Sequence, residues 1–405
     1  MPIDPDLTAD EFAALAADHD LVPVSLRIVA DRETAVTVFE KLVGDEPGFL
    51  FESLVGGEQW ARWSFVGWDP IATIKSHDGT TRIEGADLAI PEGDPLEVLE
   101  AFTEHFSVPD IDDMPPLHTG LVGYLGYDTV RYIERLPNQP TDDRGLPEML
   151  WQLVGSIAAI DNLRQEIVLI RNVLVGDDPT ADYRFAIDAL ERDVARLAMP
   201  LPYAPANPPT RAVGDDLPES SMTREEYMEA VEVARHHVRQ GDAFQIVLSQ
   251  RLETAFGGSD FDLYRMLRSI NPSPYLFFVR DPEVTVVGSS PEMMTRVRDG
   301  RAHSRPIAGT RPRGATPEDD DRLSAELLAD PKERAEHVML IDLARNDLGR
   351  ICEYGTVQVD DLMVIEKYSH VIHIVSGVSG VVREGATGVD VLRATFPHGT
   401  VSGAP

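Results

Sequence analysis

The stretch that most constrains this chain is DPKERAEHVMLIDLARNDLGRI, residues 330–351. Asp330 can cap a helix, Pro331 suits the first helical position, and Glu333 stands at capping-box spacing. Beyond the cap, Val338, Met339, Leu340, Ile341, Leu343, Ala344 and Leu348 put apolar side chains on every side at 100° per residue. Such a helix is expected to be buried, which demands a large surrounding core. Yet Glu333, Glu336, Asp342, Arg345, Asn346 and Asp347 are threaded through it. Carboxylates in such a place must be paired or bound to a cation. Glu333 and Glu336 lie one turn apart and share a face with His337, Leu340 and Asp347. Mg²⁺ takes one or two protein carboxylates, so the spacing allows a metal site. It equally allows an ion pair with an arginine.

The elements around this helix come in clusters. TADEFAALAADHD opens with a capping box from Thr8 to Glu11, and SIAAIDNLRQEIVLIRNV reads as a hairpin turning at Asp161-Asn162. Residues 199–222, MPLPYAPANPPTRAVGDDLPESSM, carry six prolines and almost no apolar period, the signature of a linker. The division expected is therefore an N-terminal region over 1–198, a linker over 199–222 and a second region over 223–405. Thr223 and Glu226 box the start of a further helix with Tyr227, Val231, Ala234 and Val238 as its stripe and Gly241 as its stop. FQIVLSQRL then alternates as a strand, a helix follows near 260–270, and YLFFV, VTVVG, MMTRVRD and RAHSRPIAG read as strands. Two helices over about 317–349 precede a long strand through YSHVIHIVSGVSGVV. Clustering rather than strict alternation favours an α+β fold.

Charge narrows the function. With 69 acidic against 36 basic residues the formal charge is −33, and only four of the basic residues are Lys. That field repels nucleic acid and anionic membranes. It suits an acidic surface that stays soluble in concentrated salt, where self-repulsion is screened. Cys352, the lone cysteine, excludes an internal disulfide and a cysteine-rich zinc site. MPIDPDLTADEF has no basic start leading into an apolar run, and no apolar stretch is long enough to span a bilayer, so a cytoplasmic protein is expected. SRPIAGTRPRG (304–314) joins turn glycines to Arg305, Arg311 and Arg313, a combination suited to an anionic ligand, and FPHGTVSGAP (396–405) is a second glycine-rich turn. No nucleophile elbow, P-loop or dinucleotide fingerprint stands at a strand–helix junction.

The segments GDAFQIVLSQR, NPSPYLFFV, GSSPEMM, PIAGTRPRG, ERAEHVMLIDLARNDLGRI, YSHVIHIVSG and HGTVSGAP occur in the order seen in chorismate-utilising enzymes. The chain most resembles their anthranilate synthase component I branch, densely over 223–405 and also through FLFESLVGGEQWARWSFVG and GLVGYLGYDTVRYIE. The resemblance implies two packed, antiparallel-rich β-sheets with helices outside and a central cleft. It implies amination of chorismate by ammonia, supplied by a glutamine amidotransferase partner, then loss of the C4 hydroxyl and of pyruvate to give anthranilate. Relatives that add water carry a lysine where Gln245 stands, and aminodeoxychorismate synthases carry a lysine at Ala308 and an Asn near Val247. This chain has neither lysine. Aminodeoxychorismate synthase component I is nonetheless the nearest alternative, and a truncated, non-catalytic tryptophan-binding protein is another.

Residue by residue, the resemblance implies Glu336 as a Mg²⁺ ligand and Glu333 as either a supporting neighbour behind it or a water-mediated ligand. Glu292 corresponds to the general acid for the departing hydroxyl. His373, rather than His370, matches the active-site histidine acting around pyruvate elimination. Gly309, Thr310, Thr400 and Gln245 fall at substrate-binding positions. Glu52 and Ser53 resemble the element for tryptophan feedback, followed by Arg62 and Ser64. Pro274, Tyr275 and Leu276 match the other wall of that pocket, with Leu276 in place of the usual Met. The family continues past SGAP with further carboxylate-site and Mg²⁺ residues, so an incomplete catalytic region is expected.

Overall fold

Ser156–Asp161 is buried along its whole length and Glu166–Leu174 along nearly all of it, so their sheet must be covered on both faces. In the computed structural model, which describes residues 3–54, 62–202, 218–368 and 370–404, the chain forms two compact units. The first comprises Met1–Asn207 and Asp260–Pro291, the second Pro208–Ser259 and Glu292–Pro405. Residues 203–217 of the expected linker lie outside the described residues.

In the first unit the strands are β1 (Leu21–Val29), β2 (Gly48–Glu52), β3 (Trp63–Trp68), β4 (Ala72–His77), β5 (Thr80–Gly85), β6 (Leu121–Leu125), β7 (Met149–Leu153), β8 (Ser156–Asp161), β9 (Glu166–Leu174), β10 (Tyr275–Arg280) and β11 (Thr285–Ser290). A seven-stranded antiparallel sheet runs β1-β9-β8-β3-β2-β10-β11, and a four-stranded one runs β5-β4-β7-β6. The hairpin read from the sequence is β8–β9, whose turn is held by the Asp161 carboxylate accepting from the amides of Leu163 and Arg164 at 3.0 and 3.1 Å. Helices α1 (Ala9–Ala16), α2 (Ala35–Leu42), α3 (Pro95–His105) and α4 (Pro179–Leu197) follow their capping residues, with complete capping boxes at Thr8, Thr34 and Asp94. Phe12, Val38, Phe39, Leu190 and the inner side chains of β1, β3 and β9 make one core cluster. Phe49, Ile157, Val168 and Ile170 belong to a second.

The chain leaves this unit for α5 (Arg224–Gln240) and returns with α6 (Asp260–Ile270) and the β10–β11 hairpin. The expected boundary at 223 therefore misplaces residues 260–291. Pairing explains why: β10 completes the ladder on β2, with Leu276 opposite Glu52 and Phe278 opposite Leu50. The turn after β10 also presents Asp281 and Glu283 to Lys75 of β4, whose fully buried ammonium lies 2.8 and 3.0 Å from their carboxylates. Only long-range pairing shows this, because the segment's own pattern suits either unit.

The second unit holds β12 (Arg296–Arg298), β13 (Arg301–Ser304), β14 (Ile307–Pro312), β15 (Gln358–Lys367) and β16 (Val371–Val381). β16 is the spine: β13 and β14 pair along one of its edges and β15 along the other, all antiparallel. Helices α7 (Pro317–Ala329), α8 (Pro331–Ile351) and α9 (Gly388–Thr395) belong to the same unit. α8 is not buried all round. His337, Leu340, Ile341, Ala344, Leu348 and Ile351 form one buried stripe, while Val338, Asp342, Arg345 and Asn346 are exposed. α5 has its capping box at Thr223 and its left-handed stop at Gly241 (φ 84°), but none of its residues is buried. Of FQIVLSQRL only Gln245–Ile246, paired with Gly403–Ala404, and Leu252, paired with Ser220, enter ladders.

Candidate active site

The pivot of the second unit is a β-bulge in β14. The register on β16 shifts between Ala308 and Thr310, and Gly309 adopts φ 69°. A side chain there would strain the left-handed backbone, and its Cβ would stand 3.1 Å from Leu327 Cδ1 and 3.3 Å from Glu333 Oε2. The bulge turns the Gly309 carbonyl onto His373 Nδ1 at 3.0 Å, and the Thr310 hydroxyl lies 3.2 Å from the same nitrogen. A carbonyl only accepts, so Nδ1 carries a proton, and in the neutral ring Nε2 holds the lone pair. Thr310 and Glu366 are the direct cross-strand neighbours of His373, and the Tyr368 ring meets the imidazole edge to face at 5.5 Å. His370 lies just before β16, exposed, and does not join this row.

Glu292 reaches the start of the same strand, accepting from the Ile307 amide. Its residue keeps solvent access, yet surrounding protein strips enough hydration from the carboxyl to raise its pKa, with the amide pulling the other way. Glu292, Gly309, Thr310 and His373 are thus strung along β14 and its partner. Gln245 belongs to another group: it pairs with Ala404, the Val247 amide donates to the Ser402 carbonyl at 3.0 Å, and both tie the half-buried Thr400 turn to this segment.

Glu333 and Glu336 differ more than their spacing suggests. Asp330 caps α8 through the amides of Lys332 and Glu333, but the Glu333 carboxylate does not return to complete a box. It accepts from Arg311 Nη1 at 3.4 Å instead, while Nη2 of Arg311 holds Asp330 at 2.9 Å. Glu336 is half-buried rather than buried, and among the described residues no group pairs with it. No cluster of three metal-ligating side chains occurs among the described residues. The donor set nevertheless fits a hydrated Mg²⁺, which needs one or two carboxylates and keeps its waters. Glu336 would be the direct ligand and Glu333 the neighbour.

The three arginines of the loop expected to suit an anionic ligand are all ion-paired within the unit. Arg305 pairs with Glu366, Arg311 with Glu326, Asp330 and Glu333, and Arg313 with Asp320. In so acidic a chain each guanidinium finds an internal carboxylate. Sequence reasoning also missed the use of His337: it is fully buried, its Nε2 lies 2.7 Å from the Ser376 hydroxyl, and burial depresses its pKa to about 4. Asp347, on the same helix, is pushed up to about 6 by burial.

In the first unit, Glu52 is 6% exposed and accepts from Arg268 through Nε and Nη2 (2.9 and 3.1 Å) and from the Tyr264 hydroxyl (2.7 Å). Leu276, its ladder partner, is buried in the same core, whereas Ser53, Pro274 and Tyr275 are half-buried. Leu276 therefore faces the core, and Tyr275, one residue away on the strand, faces the opposite side. Arg62 pairs with Asp161, and Asn162 donates to Ser64 at 3.2 Å. Residues 55–61 between them lie outside the described residues.

Fold and motifs together define a chorismate binding enzyme: that family's model matches residues 47–405, and the chain belongs to it. Among curated relatives, the anthranilate synthase component 1 of Mycolicibacterium smegmatis is 44% identical over 412 residues, 98% of this chain and 78% of the relative. The protein of the same name from Acetivibrio thermocellus is 40% identical, over 98% of this chain and 82% of its own length. Among solved structures, anthranilate synthase component I of Streptococcus pneumoniae superposes with a TM-score of 0.72 at 31% identity, covering 87% of this chain and 76% of that one. The menaquinone-specific isochorismate synthase of Escherichia coli follows with a TM-score of 0.67 at 15% identity over 98% of this chain and 80% of the other, a likeness of fold alone.

Proposed function

We propose that the chain acts as the large component of anthranilate synthase, converting chorismate and ammonia to anthranilate, pyruvate and water. The observation that carries this is the bulge in β14, the strand that Glu292 reaches: its Gly309 carbonyl accepts from Nδ1 of His373 on neighbouring β16 and leaves Nε2 available. Desolvation that raises a carboxyl's pKa favours its protonated form, which can deliver the proton to the C4 hydroxyl as it leaves as water. Nε2 of His373 can then take the C2 ring proton as the C3–O bond breaks, the enolpyruvate that leaves gaining that proton at its methylene carbon to become pyruvate. Ammonia is its own nucleophile, which agrees with Gln245 and Ala308 standing where other reactions use lysine. Glu336 and Glu333 would hold Mg²⁺, which supplies positive charge to anchor the ring carboxylate. A glutamine amidotransferase would deliver the ammonia, and tryptophan would act at the Glu52–Ser53 end of β2.

The test is incubation of the chain with chorismate, Mg²⁺ and ammonium while following anthranilate fluorescence. Wild type should form anthranilate, and Glu336→Gln should abolish Mg²⁺-dependent turnover with the fold retained. Wild-type rates in that variant would sink the metal assignment. A product that keeps its enolpyruvyl group would mean aminodeoxychorismate synthesis instead, and tryptophan binding without turnover a non-catalytic protein.

A further inference from the structure

A second set of charged groups, incompletely satisfied, lies in the first unit around a cavity of about 430 Å³ bounded by α4, the entry to β2 and the turn after β3. Arg171 of β9 lines it with a side chain only 9% exposed. Its Nη1 donates to Asp69 and, at 2.8 Å, to the Ser156 hydroxyl, and the Phe185 ring lies 4.9 Å from its Cζ. Its Nε is buried with no acceptor, and among the described residues nothing meets the Nε–Nη2 edge. Arg62, Arg268, Arg280 and Arg313 show what that edge is for: each of them places Nε and Nη2 on a carboxylate. Arg171 is more deeply buried than most of these and leaves the edge unfilled.

The opposite charge is present and only loosely paired. Asp193 of α4 is 6% exposed, and its one ionic contact, Arg196 Nη1 at 3.7 Å, is too long for a hydrogen bond. Arg196 gives its Nη2 to the Leu42 carbonyl at 2.8 Å. Burial pushes the Asp193 carboxyl up to about 6, although Arg196, Arg171 and Arg192 all pull it down. Arg171 and Asp193 thus face one cavity, near enough to feel each other's charge yet not in contact. A simple anion entering there would meet Asp69, Asp193 and Glu46, and a simple amine would meet three guanidiniums. A ligand carrying both charges would complement the open edge of Arg171 and the loosely paired Asp193. Trp68, Leu42, Pro47 and Pro70 offer the apolar wall.

We propose that this cavity binds a free α-amino acid with an apolar side chain, its carboxylate on the Nε–Nη2 edge of Arg171 and its ammonium on Asp193. The site is separate from the Glu52 pocket. Pro47 precedes the first residue of β2 and Glu52 is the last, about 13 Å further along the strand at ~3.3 Å per residue. The inference stands without the proposed reaction.

L-leucine is a suitable probe, titrated into the full chain by calorimetry beside N-acetyl-L-leucine, which lacks the ammonium, and L-leucinamide, which lacks the carboxylate. Saturable binding of leucine is expected, weakened about tenfold or more in each derivative and in Asp193→Asn. Arg171→Lys, which keeps the charge but loses the fork, should weaken leucine binding similarly while a circular dichroism spectrum confirms folding. No saturation by about 10 mM leucine would overturn the proposal, because even a 1 mM site would be filled there. Equal binding of the derivatives, or binding unaffected by Asp193→Asn but lost in Glu52→Gln, would overturn it as well.

Discussion

Replacing Arg268 by Met keeps an unbranched stem on α6 and removes the guanidinium that holds Glu52. The remaining carboxylate is 6% exposed and keeps the Tyr264 hydroxyl at 2.7 Å as its donor. Two unit charges about 4 Å apart attract by roughly 4 kcal/mol at an effective dielectric constant near 20. Removing one member of a buried pair costs about 3–5 kcal/mol, since the survivor stays desolvated. Arg268 is itself 34% exposed, so water screens the pair and the lower end applies. A loss of about 2–3 kcal/mol is expected. For a unit of this size that corresponds to a fall in Tm of roughly 5–10 °C. Urea unfolding of wild type, Arg268→Met, Glu52→Gln and the double variant measures it as a cycle. Removing both charges should recover at least half of the single-variant loss, because no buried charge is then orphaned. A single-variant loss below about 0.5 kcal/mol, or a double variant as unstable as the sum of the two, would refute the buried-pair reasoning.

Three further outcomes follow from the second unit and the charge. Gly309→Ala should cost about 1–2 kcal/mol from the left-handed backbone alone, and it should lower kcat because the carbonyl on His373 shifts; an unchanged kcat would contradict the bulge's role. His337, held neutral with its pKa depressed to about 4, contributes stability that is full above its ordinary value of about 6.5 and is lost as pH falls toward 4. His337→Gln should flatten that part of the stability–pH curve, which denaturant midpoints from pH 7.5 down to about 4 would show. With a formal charge of −33, the melting temperature should rise as KCl goes from about 0.1 to 1 M and the Debye length falls from ~10 to ~3 Å; a flat or falling profile would count against the salt-adapted surface.

Features decided within a few residues are legible in the amino-acid sequence by itself. The capping boxes at Thr8 and Thr223, the stop at Gly241, the β8–β9 hairpin and the pair of helices over 317–351 all rest on contacts between chain neighbours. Spacing alone encodes such contacts. The ordered motifs likewise mark Gly309, Thr310 and His373 as one group, and the structure brings them together through a single bulge. What spacing leaves open is the choice among chemically equivalent partners far along the chain. Nothing local says that Glu52 is held from residues 264 and 268, or that 260–291 returns to pair with β2. Nor does the α8 pattern show that Glu333 is taken by Arg311 while Glu336 is left open. With 69 acidic and 36 basic residues, very many ion pairs are electrostatically comparable. Strand register and helix packing select among them, because they alone determine which few side chains lose water together.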